Sequence, residues 1–479
     1  MVLEWIILAA LTGVLALPLA VRFFQRRFDV FEPIVVFVVA WGTMFVVRGA
    51  AIILMEQYDY IRPTRSIPIE ETLWEALLLA LVGGAAFVAA YMSPIGVRLA
   101  RLAPAPPRRY RSRTVIFWAL LATAFAGTVS IGFLVVAGSQ IGVSGLLLLV
   151  QGRTLALTRV VRSVPAYVSH ASYLLTPAAI VLFAIGYARR DRWFLAASAV
   201  AAGLLVLLVA PKGGRIMLMP LIGSYVVYYY TTVRRRPGML WIGLAATVAI
   251  IVSAAFLRVR NSEVRETVGL ATAIGELASE PTKALAPITE GADNEMVAGL
   301  AAVLRYVPEV IPFQHGWAVF GDLLTRPIPR AWWAGKPRAP REQVIAALWP
   351  DEVSTEGVVV ANPEFSVLFQ FYMDFGIVSA ALGMMLYGAA ARGVHEYYRL
   401  YSWSTLARIV FALSVPLVVI AVRDGFVDTF VKIVFTFGPL LMLFSHAATR
   451  TRAVSWQGAL GRVPSVAVRG SYAANRSWR

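Results

Sequence analysis

The chain has no cysteine in 479 residues and only four histidines. It therefore has no disulfide, no thiolate metal site and no cysteine nucleophile. Charge is also scarce. Asp, Glu, Lys and Arg make up 15% of the residues, against 59% that are hydrophobic, and mean hydropathy is +0.70. A soluble domain typically carries about 25% charged residues. In place of charge the sequence has apolar runs of about 20 residues, repeated from one end almost to the other, as expected of a polytopic membrane protein. The net charge of +17 would point to nucleic acid in a soluble chain. Here topology accounts for it, because Lys and Arg collect in cytoplasmic loops, so the bilayer is expected as a partner and nucleic acid is not.

The first run, "LEWIILAALTGVLALPLAV", has Glu4 before it and Arg22, Arg26 and Arg27 after it. A signal peptide has the opposite polarity, so this is read as an uncleaved span with the N-terminus outside. Further spans are predicted near 30–55, 73–95, 114–138, 168–188, 193–210, 216–232, 239–257, 364–391, 405–422 and 427–446. The fold class is thus all-α, with about eleven transmembrane helices, because only helices or closed barrels satisfy the backbone in lipid and these runs are too apolar for barrel strands. Alternation from an outside N-terminus puts "RFFQRRF", "VRLARLAPAPPRRYRSR", "RRDR", "RRRPG", "RGVHEYYR" and "HAATRTR" on one side. That side is the cytoplasm, and the C-terminus lies there. Residues 1–257 are the first eight spans, 258–363 one large extracytoplasmic loop with short helices, 364–449 the last three spans and 450–479 a basic tail expected to be disordered.

Against this bias, several cations are expected on the outer side. "PKGGR" places Lys212 and Arg215 between two apolar runs, and Arg153, Arg159 and Arg162 precede the fifth span. Arg305, Arg326, Arg330, Lys336, Arg338 and Arg341 fall in the large loop, Arg423 follows the tenth span, and Arg48 and Lys432 lie within spans two and eleven. Any one of them can snorkel to lipid phosphates or pair with a carboxylate. A set converging from separate connections instead suits an anionic ligand, and glycine neighbours let backbone N–H groups approach a phosphate. In the loop, "LRYVPEVIPFQHGWAVFGDLLTRPIPRAWWAGKP" is broken by Pro308, Pro312, Pro327, Pro329 and Pro337. Its Trp317, Trp332 and Trp333 suit either a membrane interface or the face of a sugar ring.

"GWAVFGDLLTRPIPRAWWAGKP" followed by "ANPEFSVLFQFYMDFGIVSAALGMMLYG" resembles the O-antigen polymerase group, the bacterial Wzy-type oligosaccharide repeat-unit polymerases. The shared features are a Gly, a Pro-Arg with nearby Trp and Lys-Pro, a Pro step into a helix and an aromatic-Phe-Gly step. The "KGGR" turn fits the same pattern, and the likeness covers roughly residues 205–430. Val378 and Ser379 stand where the group often has a second glycine. The resemblance implies a multi-pass enzyme of the bacterial inner membrane, acting on its outer face. It would transfer a glycan from undecaprenyl pyrophosphate onto another lipid-linked repeat unit, alongside a flippase and a chain-length regulator.

Arginines would neutralise the pyrophosphate leaving group, with no cofactor and no metal required. The candidate ligand-binding residues are Lys212, Arg215, Arg305, Arg330, Lys336, Arg423, Arg153, Trp332, Trp333 and His315. "DNE" and "PDE" read as solvated loop charges. For the base that takes the acceptor proton the candidates are Glu364 and Asp424, then Asp374 and Asp322, with His170 and His315 also facing outward. Two alternatives stay open: an O-antigen-ligase type of transferase, with the same donor and a different acceptor, and a lipid-linked oligosaccharide flippase. The sequence lacks the internal repeat that transporters commonly show.

Overall fold

The computed structural model describes residues 2–26, 28–61, 66–150, 171–209, 218–233, 238, 275, 279, 295–326, 328, 332–333, 335–350 and 365–448. In chain order its helices are α1 (Val2–Phe24), α2 (Pro33–Trp41), α3 (Arg48–Leu54), α4 (Leu73–Met92), α5 (Ile95–Leu102) and α6 (Ser112–Val150). Next come α7 (Leu175–Arg189), α8 (Arg192–Val209), α9 (Met219–Val233), α10 (Met296–Leu304), α11 (Asp322–Thr325) and α12 (Pro340–Leu348). The chain closes with α13 (Ser366–Phe375), α14 (Ile377–Leu400), α15 (Thr405–Asp424) and α16 (Phe426–Ala447). Among the described residues eight helical stretches are long and apolar enough to cross a membrane, α2 and α3 counting as one. Helices α8 and α9 occupy the positions of the sixth and seventh expected spans. The expected span at 239–257 lies outside the described residues.

Span nine differs from its expected position. The apolar run at 364–391 is not one helix: α13 ends at Phe375, Gly376 sits at φ +67°, and α14 starts at Ile377. A side chain at that φ is strained, so the aromatic-Phe-Gly step is a built-in break. The crossing helix is α14, which continues to Leu400.

α2 and α3 form one span joined by a π-helical segment, Gly42–Val47. Trp41 and Phe45 stack on this span with centroids 4.5 Å apart, and the Trp41 indole N–H donates to Ala80 O at 3.2 Å. The crossing of α4 and α14 is set by small residues. A Cβ on Gly388 would run into the carbonyl oxygen of Phe87, so the two backbones touch. Gly388→Ala is expected to force the helices apart and cost about 1–3 kcal/mol. Gly132→Ala on α6, where a new Cβ meets nothing within 4 Å, is expected to be neutral. Thermal unfolding of the two purified variants checks the difference.

Contacts between turns define two ends. At one, Tyr110 forms a bridge with Ala448, Arg189 bonds Ser112, the Tyr397 hydroxyl bonds Pro104 O, and Arg22 pairs with Glu32. This is the arginine-rich end. At the other end lie the hairpin of β1 (Asp59–Ile61) and β2 (Ser66–Pro68), helices α10 to α13 and the α15–α16 turn.

The large segment between the eighth and ninth expected spans is more deeply embedded than a solvated loop. Every residue of α10 is buried. A helix apolar on all sides belongs in a core, and α10 shares one with α1 to α4 and α12 to α14. A second core joins α6, α7, α9, α15 and α16.

Candidate functional site

At the end opposite the arginine-rich one, the chain from Gln314 to Leu348 is clipped onto α13 and α16. Asp374, on the last turn of α13, makes the first clip. Its Oδ1 accepts backbone N–H groups from Gly316 at 2.9 Å and Ala318 at 2.8 Å. The His315 N–H donates to the Asp374 carbonyl and that of Gln314 to Met373. A carboxylate held by two backbone donors caps the next helical turn, which gives Asp374 a structural role here. Its first beneficiary is the π-helical turn Trp317–Gly321, which runs into α11.

Asp428, on the first turn of α16, makes the second clip. It forms an ion pair with Arg326, which follows α11, and has Arg341 of α12 within 3.9 Å. Arg326 also lies 3.4 Å from Asp322, one helical turn before it. One turn further along α16, Lys432 pairs with Asp424, and Arg423 approaches the same carboxylate to 3.6 Å. Gln370 of α13 supports the turn between them by accepting the Val427 N–H at 3.0 Å. Four cations and three carboxylates therefore form two neighbouring ion-pair clusters across α11, α12, α15 and α16, a geometry that defines the positions of the charged groups more than it adds stability.

Beside this network is a cleft of about 120 Å³, lined by Trp317, Asp322, Thr325, Arg326, Lys336, Arg338 and Glu342 together with Pro337, Ala339 and Pro340. Asp322 is 6% exposed, and its Oδ2 accepts no hydrogen bond. Burial pushes its carboxyl above the ordinary carboxylate value; Arg326 pulls it down and Asp428 pushes it up again. Lys336 is positioned by its ammonium, which donates to Ile328 O at 3.0 Å, and by its backbone N–H, which donates to Trp333 O. The cleft thus combines a tryptophan, two carboxylates, of which Asp322 is buried, and three cations.

The expected site residues distribute unevenly over this geometry. Lys336 lines the cleft, and Trp333 is on the turn that leads to it. Trp332 projects outward at 83% exposure. Asp424 and Arg423 belong to the ion-pair clusters: Asp424 pairs with Lys432 and lies 3.6 Å from Arg423, and its Oδ1, like Oδ2 of Asp322, accepts no hydrogen bond. Arg305 does not join Arg423. It caps α10 over the hairpin, where its guanidinium meets Pro68 O at 3.1 Å and Glu71 at 3.3 Å. The two arginines share no partner among the described contacts, because the caps of α10 and α15 address different elements. His315 adopts φ +50° and presents its ring edge-on to Phe375, 5.5 Å away, outside the cleft lining. Glu364, Arg153, Lys212, Arg215 and Arg330 lie outside the described residues, as does His170.

Of the two cations expected within spans, Arg48 is buried in α3 and donates to Gln57 at 2.7 Å, while Lys432 is the partner of Asp424. Asp428 was not among the sequence candidates, although a signal for it exists. Asp322 and Arg326 stand four residues apart, as do Asp428 and Lys432, each pair bringing opposite charges onto one helical face. Among the described residues no group of three His, Asp or Glu side chains is placed to hold a metal ion. Comparison with family models, with curated proteins and with solved structures returned no match, so the chemistry of the cleft has to carry the functional reading.

Proposed function

We propose that the chain is a membrane glycosyltransferase that polymerises oligosaccharide repeat units carried on undecaprenyl pyrophosphate, as the sequence resemblance implies. The observation that best supports this is the cleft at Asp322, where a tryptophan face, a buried carboxylate and Arg326, Lys336 and Arg338 converge. Aromatic faces stack on sugar rings, and cations neutralise the charge that develops on a departing pyrophosphate. In the reaction the acceptor hydroxyl oxygen attacks the anomeric carbon of the donor. A glycosidic C–O bond forms, the C–O bond to phosphate breaks, and the lipid pyrophosphate leaves with the bonding electrons. In this reading Asp322 takes the acceptor proton.

In this reading the arginine-rich end lies in the cytoplasm. The positive-inside rule supports that orientation, since Arg98, Arg101, Arg108, Arg109, Arg111 and Arg113 cluster there on and after α5. The cleft then opens on the outer face of the bacterial inner membrane, where a flippase delivers repeat units and a chain-length regulator would act.

Purified protein supplied with a lipid-pyrophosphate-linked repeat unit is expected to yield a ladder of products separated by one repeat. A single unit added to a different acceptor would favour the ligase. Movement of the lipid across vesicles with no new glycosidic bond would favour the flippase, and either result would overturn polymerisation.

A further inference from the structure

The arginine-rich end holds a second charged cavity, which the glycosyl-transfer reading does not use. It has a volume of about 460 Å³ and lies between the α1–α2 turn and the last turns of α14. Arg22, Arg26 and Arg399 line it, with Asp29, Glu32 and His395.

Its carboxylates are already engaged from within. Glu32, 2% exposed, accepts from Arg22 at 2.7 Å and from the Tyr91 hydroxyl at 3.1 Å. Arg392 and His395 also approach it, each to 3.5 Å. Glu396 is gripped by Arg392 at 2.6 Å and Arg399 at 2.9 Å, and Asp29 accepts the Phe31 N–H at 3.1 Å.

The guanidinium side of the balance is in surplus. Among the described residues Arg22, Arg26 and Arg399 line the cavity with Asp29 and Glu32, three cations against two anions, while Arg392 and Glu396 pair with each other behind it. The buried Nε of Arg22, a residue of the cavity lining, has no hydrogen-bond acceptor. Buried donors without acceptors are costly, and an oxyanion entering the cavity removes that cost. Arg26 is held at φ +52°, an unfavourable conformation for a residue other than glycine, and it too lines the cavity. Phe23 and Phe24 are exposed at 72% and 83% beside these arginines, which places apolar surface next to the cations.

We propose that this cavity binds a phosphate group. A phosphate presents several acceptor lone pairs to guanidinium forks, which hold it in bidentate, charge-assisted fashion. Two sources share that chemistry: the headgroup of an anionic phospholipid in the adjoining leaflet, and a soluble phosphate. The cavity is distinct from the cleft at Asp322, and the assignment holds whether or not the chain is a polymerase.

The test uses full-length protein, with thermal unfolding as the readout. One arm adds inorganic phosphate in detergent, against potassium chloride of equal ionic strength. The other compares nanodiscs of phosphatidylcholine with nanodiscs that also contain phosphatidylglycerol. The double variant Arg26→Ala/Arg399→Ala removes two exposed lining residues. Arg98→Ala/Arg101→Ala removes the same charge from α5, at two residues that do not line the cavity.

The wild type is expected to unfold at higher temperature with at least one probe, and the cavity variant to bind that probe about tenfold or more weakly. The α5 variant should behave as wild type. A response to phosphate identifies a soluble source, and a response confined to phosphatidylglycerol identifies a headgroup. No response to either probe, or equal losses in both variants, overturns the assignment.

Discussion

Asp322→Asn is expected to lower turnover about 100- to 10,000-fold, the range that a positioned general base contributes. The Michaelis constant should change little, because an amide of the same shape fills the same place in the cleft. The pH profile separates this from a structural role. Burial raises the carboxyl of Asp322 above its ordinary 3.8, so kcat/KM should rise with pH along a limb displaced above that value. The limb should disappear in the asparagine variant.

Stability should move the other way. A carboxyl whose folded-state pKa is raised binds its proton more tightly in the folded protein than in the unfolded chain. Its contribution to stability is full below the unfolded value and is lost as pH rises through the folded one. At neutral pH the amide of the Asp322→Asn variant removes that penalty, so the variant should melt no lower than the wild type. A variant that both melts early and loses activity would mark Asp322 as a packing residue.

The second large effect is expected at Asp428. Asp428→Ala takes away the carboxylate that joins Arg326 and Arg341 to α16. Breaking a buried ion pair from one side typically costs about 3–5 kcal/mol, and partial exposure puts this one at or below the lower end. Turnover should fall with it, because Arg326 lines the cleft. The double variant Asp428→Leu/Arg326→Met leaves neither of these two charges unpaired. It should recover much of the lost melting temperature and none of the activity. Full recovery of both would remove Arg326 from the chemistry.

The sequence was a better guide to the bundle than to the site. Spans were legible because each apolar run satisfies its own backbone and is long enough to cross lipid, so position along the chain is enough to find it. Span nine was misplaced for a local reason: the run at 364–391 is apolar enough on average to read as one span, and hydropathy does not register a glycine at positive φ. The embedding of α10 was missed because nine apolar residues are too short to be read as a span, yet long enough to be buried against α4.

The site was harder for a different reason. Its lining comes from the π-helical turn at Trp317, α11, the turn at Lys336 and α12, with the ion pairs of α15 and α16 beside it, and no periodicity links them. The cations themselves were legible in the sequence. Their partners were not, since whether Arg305 meets Glu71 or Arg423 depends on how α10 lies on the hairpin. Asp374 shows the same limit from the other side. A carboxylate near a helix end reads alike whether it takes a proton or caps a neighbouring turn, and the cap itself shows only in the 2.8–2.9 Å backbone contacts.

The absence of cysteine supplies the most direct test of the cleft as the substrate site on the outer face. Ala339→Cys places the protein's single thiol on the cleft wall. In sealed, right-side-out vesicles, a membrane-impermeant thiol reagent is expected to label this cysteine without permeabilisation. Lipid-pyrophosphate-linked repeat unit should slow the labelling. Labelling only after the membrane is opened, or at a rate the repeat unit does not change, would contradict the account.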